Sequence, residues 1–359
     1  MHNVPGVRAW LEPRSGAALT RPLCVLWVMA IVELTLAHSG DPDDVFMWWP
    51  LTGRVMPDGT ACAGRNGEPR IDAGRFRFRA VPGDISEFNR LAARPEADGG
   101  AVYDVTALSV RAWADVAGRY AITDVGGSFG DGYGPKVVCR ADDDRIACHL
   151  CLRKSGLKIA VPGLRTSAFL TLGLMVGPDV ARERGRFVEA SFTGIIPMVL
   201  DRRVDAGLVI HEGQVMFGEA GLREVVDLGR WWKKERGLPL PLGVNAVKRD
   251  LDARHGDGTV RDVALLLERS LDYALAHREE SIDATMPFAE ANAHASGLPA
   301  PTRDTVSRYI NMYVTDLTVG MGDRGRTAIE WLLREGAEAG LCPAVAEVDV
   351  VRGRVRHLG

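Results

Sequence analysis

The chain has 359 residues, 46% of them hydrophobic and 25% charged, with a formal net charge of −3. That length supports two cores, and the charge balance offers neither the basic face that nucleic acid requires nor a Lys/Arg-rich tract for an anionic membrane. A small-molecule partner is expected, and six cysteines over such a length read as reduced, cytosolic thiols rather than a disulfide framework.

In chain order, "RPLCVLWVMAIVELTLA" has a basic residue before an apolar run, like a weak signal peptide, but the run is too short to span a bilayer. Cleavage after Ala37 would delete the alternating strand "ELTLAHS". Met29 is a plausible internal start, which makes residues 1–28 an extension or a misassigned start. "DPDDVFMWWPL" then reads as a helix with acidic residues at its start, and residues 53–75 as a Gly/Pro-rich insertion. "RFRFRAV" alternates as a half-exposed strand, "DISEFNRLAA" is a capped helix, and "VYDVTALS" a short strand.

The polar stretch "ADDDRIACHLCLRKS", residues 141–155, interrupts the alternation, and a fresh series starts at "LKIAVPG". It continues through "LRTSAFLTLGLMV", "RFVEASF", "GIIPMVLDRR" and "DAGLVIHE". "GLPLPLG" is extended, because prolines and the residues before them avoid the helical region, and suits a return crossing. From Asp262 the pattern is helical. The expected architecture is α/β with two lobes around a central cleft and two hinge crossings. Residues 29–140 begin the first lobe, 141–155 are a hinge insertion, 156–240 form the second lobe, and 241–359 return to pack helices on the first.

His211 ends the apolar run "AGLVI", and in open α/β sheets ligands gather at that end of a strand. Alternation puts it on the face of Val209, opposite Glu212. An imidazole titrating near neutrality suits a general base; the alternative is a strand-end histidine satisfied by backbone groups. In "VPGLRTSAF", Thr166 and Ser167 stand at a helix start, either as plain caps or as a seat for a carboxylate. Ser128, a candidate substrate contact, lies in the glycine-dense "GGSFGDGYGPK", whose spacing and following strand do not fit a dinucleotide loop, so no nucleotide cofactor is expected. In "AHSGDPDDVF", His38 and Ser39 end a strand, with Ser39 a candidate substrate contact, before Asp41, Asp43 and Asp44, which either favour a helix N-terminus or bind sugar hydroxyls. Thr106 and Ser109 end another strand, as turn formers or ligand donors. Cys139, Cys148, His149 and Cys151 have spacing too loose for a zinc site, so no metal is expected. "RWWKKERG" reads as helix packing rather than a nucleic-acid contact.

In order, "LAHSGDPDDVFMWW", "DISEFNRLA", "YDVTALS", "GGSFGDGYGPKVV", "IAVPGLRTSAFL", "GLVIHEG" and "VDLGRWWKKERGLPLPLG" resemble the 1,4-dihydroxy-6-naphthoate synthases of the futalosine route to menaquinone. The resemblance covers most of residues 33–340. It implies a type II periplasmic-binding-protein-like fold used as a cytoplasmic enzyme, a lyase acting on cyclic dehypoxanthine futalosine without metal or redox cofactor. It further implies His211 as catalytic base, Thr166 and Ser167 as the hydroxyl pair of the pocket, and Ser109 as a substrate contact. The aspartates of "HSGDPDD" match an acidic variant of the family's first loop, although Gly40 stands where that variant usually has proline. A transporter's solute-binding protein shares the architecture, as does the chorismate dehydratase of the same pathway. "GLVIHEG" and "RGLPLPLG" favour the naphthoate synthase. Neither the resemblance nor the composition fixes an oligomeric state.

Overall fold

The computed structural model describes residues 30–353, apart from 99–101 and 212. The signal-like stretch up to Met29, with the alternative start, therefore lies outside the described residues. Twelve strands occur among the described residues. In chain order they are β1 (Val32–Ser39), β2 (Phe76–Gly83), β3 (Val105–Ser109), β4 (Tyr120–Thr123), β5 (Ser128–Gly130) and β6 (Lys136–Arg140). The others are β7 (Ile159–Val161), β8 (Phe187–Glu189), β9 (Ala206–Val209), β10 (Leu222–Asp227), β11 (Leu240–Lys248) and β12 (Val350–Val351).

They form two sheets. The first runs β12-β4-β11-β3-β1-β2, with β5 also paired to β11, and the second runs β10-β6-β9-β7-β8. Within the first, β1 is parallel to β2 and β3, and the long β11 runs antiparallel to β3. Local chemistry accounts for many elements. In β2 the phenylalanines Phe76 and Phe78 are buried while Arg77 and Arg79 are exposed, as a one-sided strand requires. Asp84 caps the helix Ile85–Ala93 by accepting from the Ser86 amide at 2.8 Å.

The crossing between lobes comes earlier than residues 141–155. Strand β6 already belongs to the second sheet, antiparallel to both β9 and β10, so the chain crosses between Gly130 and Lys136. The reason is burial on both faces: Val137 and Cys139 pack into one cluster and Val138 into another, which makes β6 a central strand. The polar 141–155 segment is instead an excursion between two strands of the second lobe. Arg145 fastens it there, bonding Asp143 at 2.7 Å and Asp205 at 2.6 Å. In that excursion the Cys148 and Cys151 sulfurs lie 3.9 Å apart, while Cys139 is buried in β6.

The return crossing runs from β10 through the helix Leu228–Arg236 into β11, so the extended "GLPLPLG" stretch leads back into the first sheet. The helices Thr259–Ala276, Arg278–Ala295 and Arg303–Tyr313 then share a core with the first lobe, where Leu267, Leu271, Ile282 and Ile310 meet Leu34, Phe46, Trp48 and Val105. No helix among the described residues is long and apolar enough to cross a membrane.

The two crossings touch. The Leu228 amide donates to the Pro135 carbonyl at 2.8 Å, and a Cβ on Gly229 would lie 1.8 Å from the Tyr133 carbonyl oxygen. Only glycine lets these backbones approach so closely. Gly229→Ala is therefore expected to force the crossings apart and to destabilise the fold by about 1–3 kcal/mol, read from denaturant unfolding midpoints.

Candidate active site

A cavity lies between the sheets, lined from both lobes. Its walls are the C-terminal ends of β1, β3, β7 and β9 with the turns that follow, which is where side chains from successive strands converge. Of the residues proposed from sequence, Ser39, Asp41, Ser109, Ser128, Thr166, Ser167 and His211 line it.

Thr106 does not. It lies further back along β3 than Ala107, Leu108 and Ser109, which reach the wall, and its hydroxyl donates to the Ala107 carbonyl at 3.1 Å. His211 reaches the cavity, but not by continuing the strand. Strand β9 stops at Val209, and His211 sits in a turn with φ 59°, a left-handed conformation that histidine tolerates better than most residues. Alternation therefore does not govern its direction. The ring packs edge-on against Phe192, centroids 4.1 Å apart, and its Nδ1 is in direct contact with Asp41 Oδ2.

The hydroxyls are already engaged. Thr166 caps the helix Ser167–Val176, accepting from the Phe169 amide at 3.1 Å and donating to the Gly163 carbonyl at 2.8 Å. Ser167 donates to the Leu242 carbonyl at 2.6 Å and accepts from the Arg111 amide at 3.2 Å, joining the second lobe to the first. Ser109 is held by Asn89, whose amide donates to its Oγ at 3.0 Å. What the helix start leaves for a ligand is backbone: the Ser167 and Ala168 amides fall in its first turn, where no intrahelical acceptor exists.

Sequence reasoning missed Gln214, Asn245, Tyr309 and Tyr313, which also line the cavity. The Tyr313 hydroxyl and the Gln214 amide are hydrogen-bonded at 2.8 Å, another link across the cleft. Tyr309 and Tyr313 recur at helical spacing in "RYINMY", but nothing local sends that face to the cavity rather than to the core.

The site is acidic. Asp41, Asp43 and Asp44 are all buried, and each carboxyl is held above the usual carboxylate range, first by burial. Repulsion by Asp44 adds to the shift at Asp41, and repulsion by Asp41 and Asp44 adds to that at Asp43. Burial also lowers the His38 imidazole, whose Nδ1 donates to the Ser39 carbonyl at 2.8 Å. Asp43 Oδ1 is buried with no hydrogen-bond partner among the described residues.

The folded state holds the Asp43 proton more tightly than the unfolded chain does. Its stabilising contribution is complete below the unfolded value of 3.8 and is lost as pH rises through the raised folded value. Asp43→Asn, which cannot ionise, should therefore unfold later than the parent at pH 8, by about 1 kcal/mol or more, with the gap closing toward pH 4. Denaturant titrations across that range check it.

Comparison with known proteins gives the architecture a lineage. The menaquinone biosynthesis family matches residues 34–338. A Thermus thermophilus protein named 1,4-dihydroxy-6-naphtoate synthase is 36% identical over 309 residues, 86% of this chain and 95% of that protein. A Streptomyces coelicolor protein of the same name is 30% identical over 324 residues, 88% of this chain and 97% of its own. The crystal structure of an Archaeoglobus fulgidus protein, 33% identical, superposes with a TM-score of 0.66 and covers 86% of this chain and 98% of its own. The alkanesulfonate-binding protein of Xanthomonas axonopodis pv. citri, 12% identical with a TM-score of 0.56 over 90% of this chain and 99% of its own, shows the shared periplasmic-binding-protein fold and nothing more. The family match over most of the chain and the two relatives at 30% identity or above place this protein in the menaquinone-biosynthesis family, that of the 1,4-dihydroxy-6-naphthoate synthases.

Proposed function

We propose that the chain is a cytoplasmic 1,4-dihydroxy-6-naphthoate synthase that converts cyclic dehypoxanthine futalosine to 1,4-dihydroxy-6-naphthoate, with His211 as general base. The observation that carries the reading is the position of His211, at the mouth of β9 and on the wall of a cavity built from both lobes. Two relatives of that name, aligned over nearly their whole length, support the substrate class.

In this reading the lobes enclose a carboxylated bicycle joined to a sugar-derived portion. Its carboxylate sits against the Ser167 and Ala168 amides, where the helix start favours negative charge. The role of Thr166 and Ser167 is then to build that seat rather than to offer free hydroxyls, since both are engaged with backbone groups. Ser39, Ser109 and Ser128 are left to meet the polar rim of the substrate. His211 takes a hydroxyl proton from the sugar-derived portion, the carbon–carbon bond beside that oxygen breaks so that this portion departs as a carbonyl compound, and the electron pair left on the bicycle is protonated and ends in the aromatic naphthoate. Aromatisation supplies the driving force, so the reading assigns no metal or redox cofactor. Exclusion of water by the closed lobes strengthens each electrostatic contact within.

Purified protein incubated with cyclic dehypoxanthine futalosine should release a fluorescent naphthoate without added metal or redox cofactor. Tight binding without product would instead indicate a solute-binding protein, and turnover of chorismate alone would indicate the dehydratase.

A further inference from the structure

The contact between His211 and Asp41 joins residues that no shared element holds together. Asp41 follows β1 in the first sheet and His211 follows β9 in the second, so their separation is set by how far the lobes are closed. We propose that Asp41 is the positioning residue of His211, and that the pair assembles only on lobe closure, readying the base after substrate is enclosed. This inference rests on the reading of His211 as the base.

The geometry singles Asp41 out from its neighbours. Asp44 Oδ2 is committed to the Ser39 amide at 2.8 Å, whereas Asp41 Oδ2 lies in direct contact with the ring nitrogen; Asp43 and Asp44 act on the imidazole as neighbouring charges. The Asp41 loop is itself braced: its amide donates to Ser39 Oγ at 3.2 Å, and Asn292 Nδ2 donates to the Gly40 carbonyl at 2.9 Å. On the other side, the left-handed turn and the Phe192 ring fix the direction of the imidazole. Burial favours a proton on the pair, and the contact lets the Asp41 carboxyl and Nδ1 share it; with that proton on Nδ1 the lone pair is left on Nε2, the arrangement a base requires. In an open cleft the ring loses that partner and either nitrogen can carry the proton. Ser167 bonding across to Leu242 and Arg111, and Gln214 bonding to Tyr313, make the same closure from neighbouring positions.

The charged and titratable groups around the pair are Asp43 and Asp44 in the first turn of the helix Pro42–Thr52, His38 at the end of β1, Asp84 before the helix Ile85–Ala93, and Tyr313 on the helix Arg303–Tyr313. The first test is Asp41→Asn, whose amide can donate to Nδ1 and so force the proton onto Nε2. With cyclic dehypoxanthine futalosine, kcat should fall about 10²- to 10⁴-fold while KM changes little. The acid limb of the pH–rate profile should move to lower pH, because the carboxylate that favours the imidazolium is gone. Asp41→Glu should recover part of the rate. Wild-type kcat in Asp41→Asn, or a fall in kcat with no movement of the acid limb, overturns the proposal.

Should Asp41→Asn not fold, the imidazole tautomer of His211 is read directly in the unmodified protein by long-range ¹H–¹⁵N NMR with 1,4-dihydroxy-6-naphthoate bound. Nδ1 protonation supports the pair and Nε2 protonation overturns it. Failure of the underlying reading looks different: His211→Asn would then keep its turnover whatever Asp41 does. An inactive His211→Asn beside an unimpaired Asp41→Asn sinks only the positioning role.

Discussion

His211→Asn is expected to lose about 10²- to 10⁴-fold in turnover, the range that a positioned general base contributes. Asparagine is the informative replacement because His211 occupies a left-handed backbone position, which asparagine also adopts and a β-branched residue does not. The turn, its Gln214 amide bonded to the His211 carbonyl at 3.1 Å, and the Phe192 contact surface should survive. Binding of the product naphthoate should therefore stay close to that of the parent while kcat collapses. Calorimetric titration and initial rates measured on the same preparation separate the two. Turnover at the parent rate would remove the histidine from the chemistry.

The second large effect is structural. Trp48 is fully buried on the same helix that carries Asp43 and Asp44, and its ring lies against Gly126, where an added Cβ would come within 2.5 Å. Gly126 in turn has φ +78°, lines the cavity and accepts from Asn245 Nδ2 at 2.9 Å. The tryptophan is thus the filler between the acidic helix and the cavity floor. Trp48→Ala should cost about 3–5 kcal/mol in unfolding free energy, from lost apolar burial and the void left behind. Trp48→Phe should retain most of that stability, because the indole Nε1 has no hydrogen-bond partner among the described residues to lose. Denaturant midpoints give the ranking, and equal stability of the alanine and phenylalanine variants would show that packing there is slack. Turnover should fall with the alanine variant, since the aspartate-bearing helix loses its support.

Several elements were legible because their causes are local. Alternation in "RFRFRAV" marks a strand with one buried face, Asp84 and Thr166 mark helix starts by their caps, and the ordered motifs carry the family. Much of the cavity wall follows from the rule that strand ends gather ligands, which points to Ser39, Ser109 and His211.

Other features depend on contacts between distant parts of the chain. Whether β6 joins the first sheet or the second is decided by its pairing with β9 and β10, and its own five residues carry no mark of that choice. The polar 141–155 stretch looks like a hinge because linkers are polar, yet surface excursions within a lobe are polar for the same reason. Thr106 and Ser109 are three residues apart, and only the sheet's orientation says which of them faces the cavity. The pairing of Gln214 with Tyr313 spans 99 residues, and that of His211 with Asp41 spans the two lobes. The sequence by itself determined the elements, their caps and the lineage, since propensity and periodicity act over a few neighbouring residues. Tertiary structure alone decided which charges meet across the cleft, because those distances are fixed by how the two sheets come together.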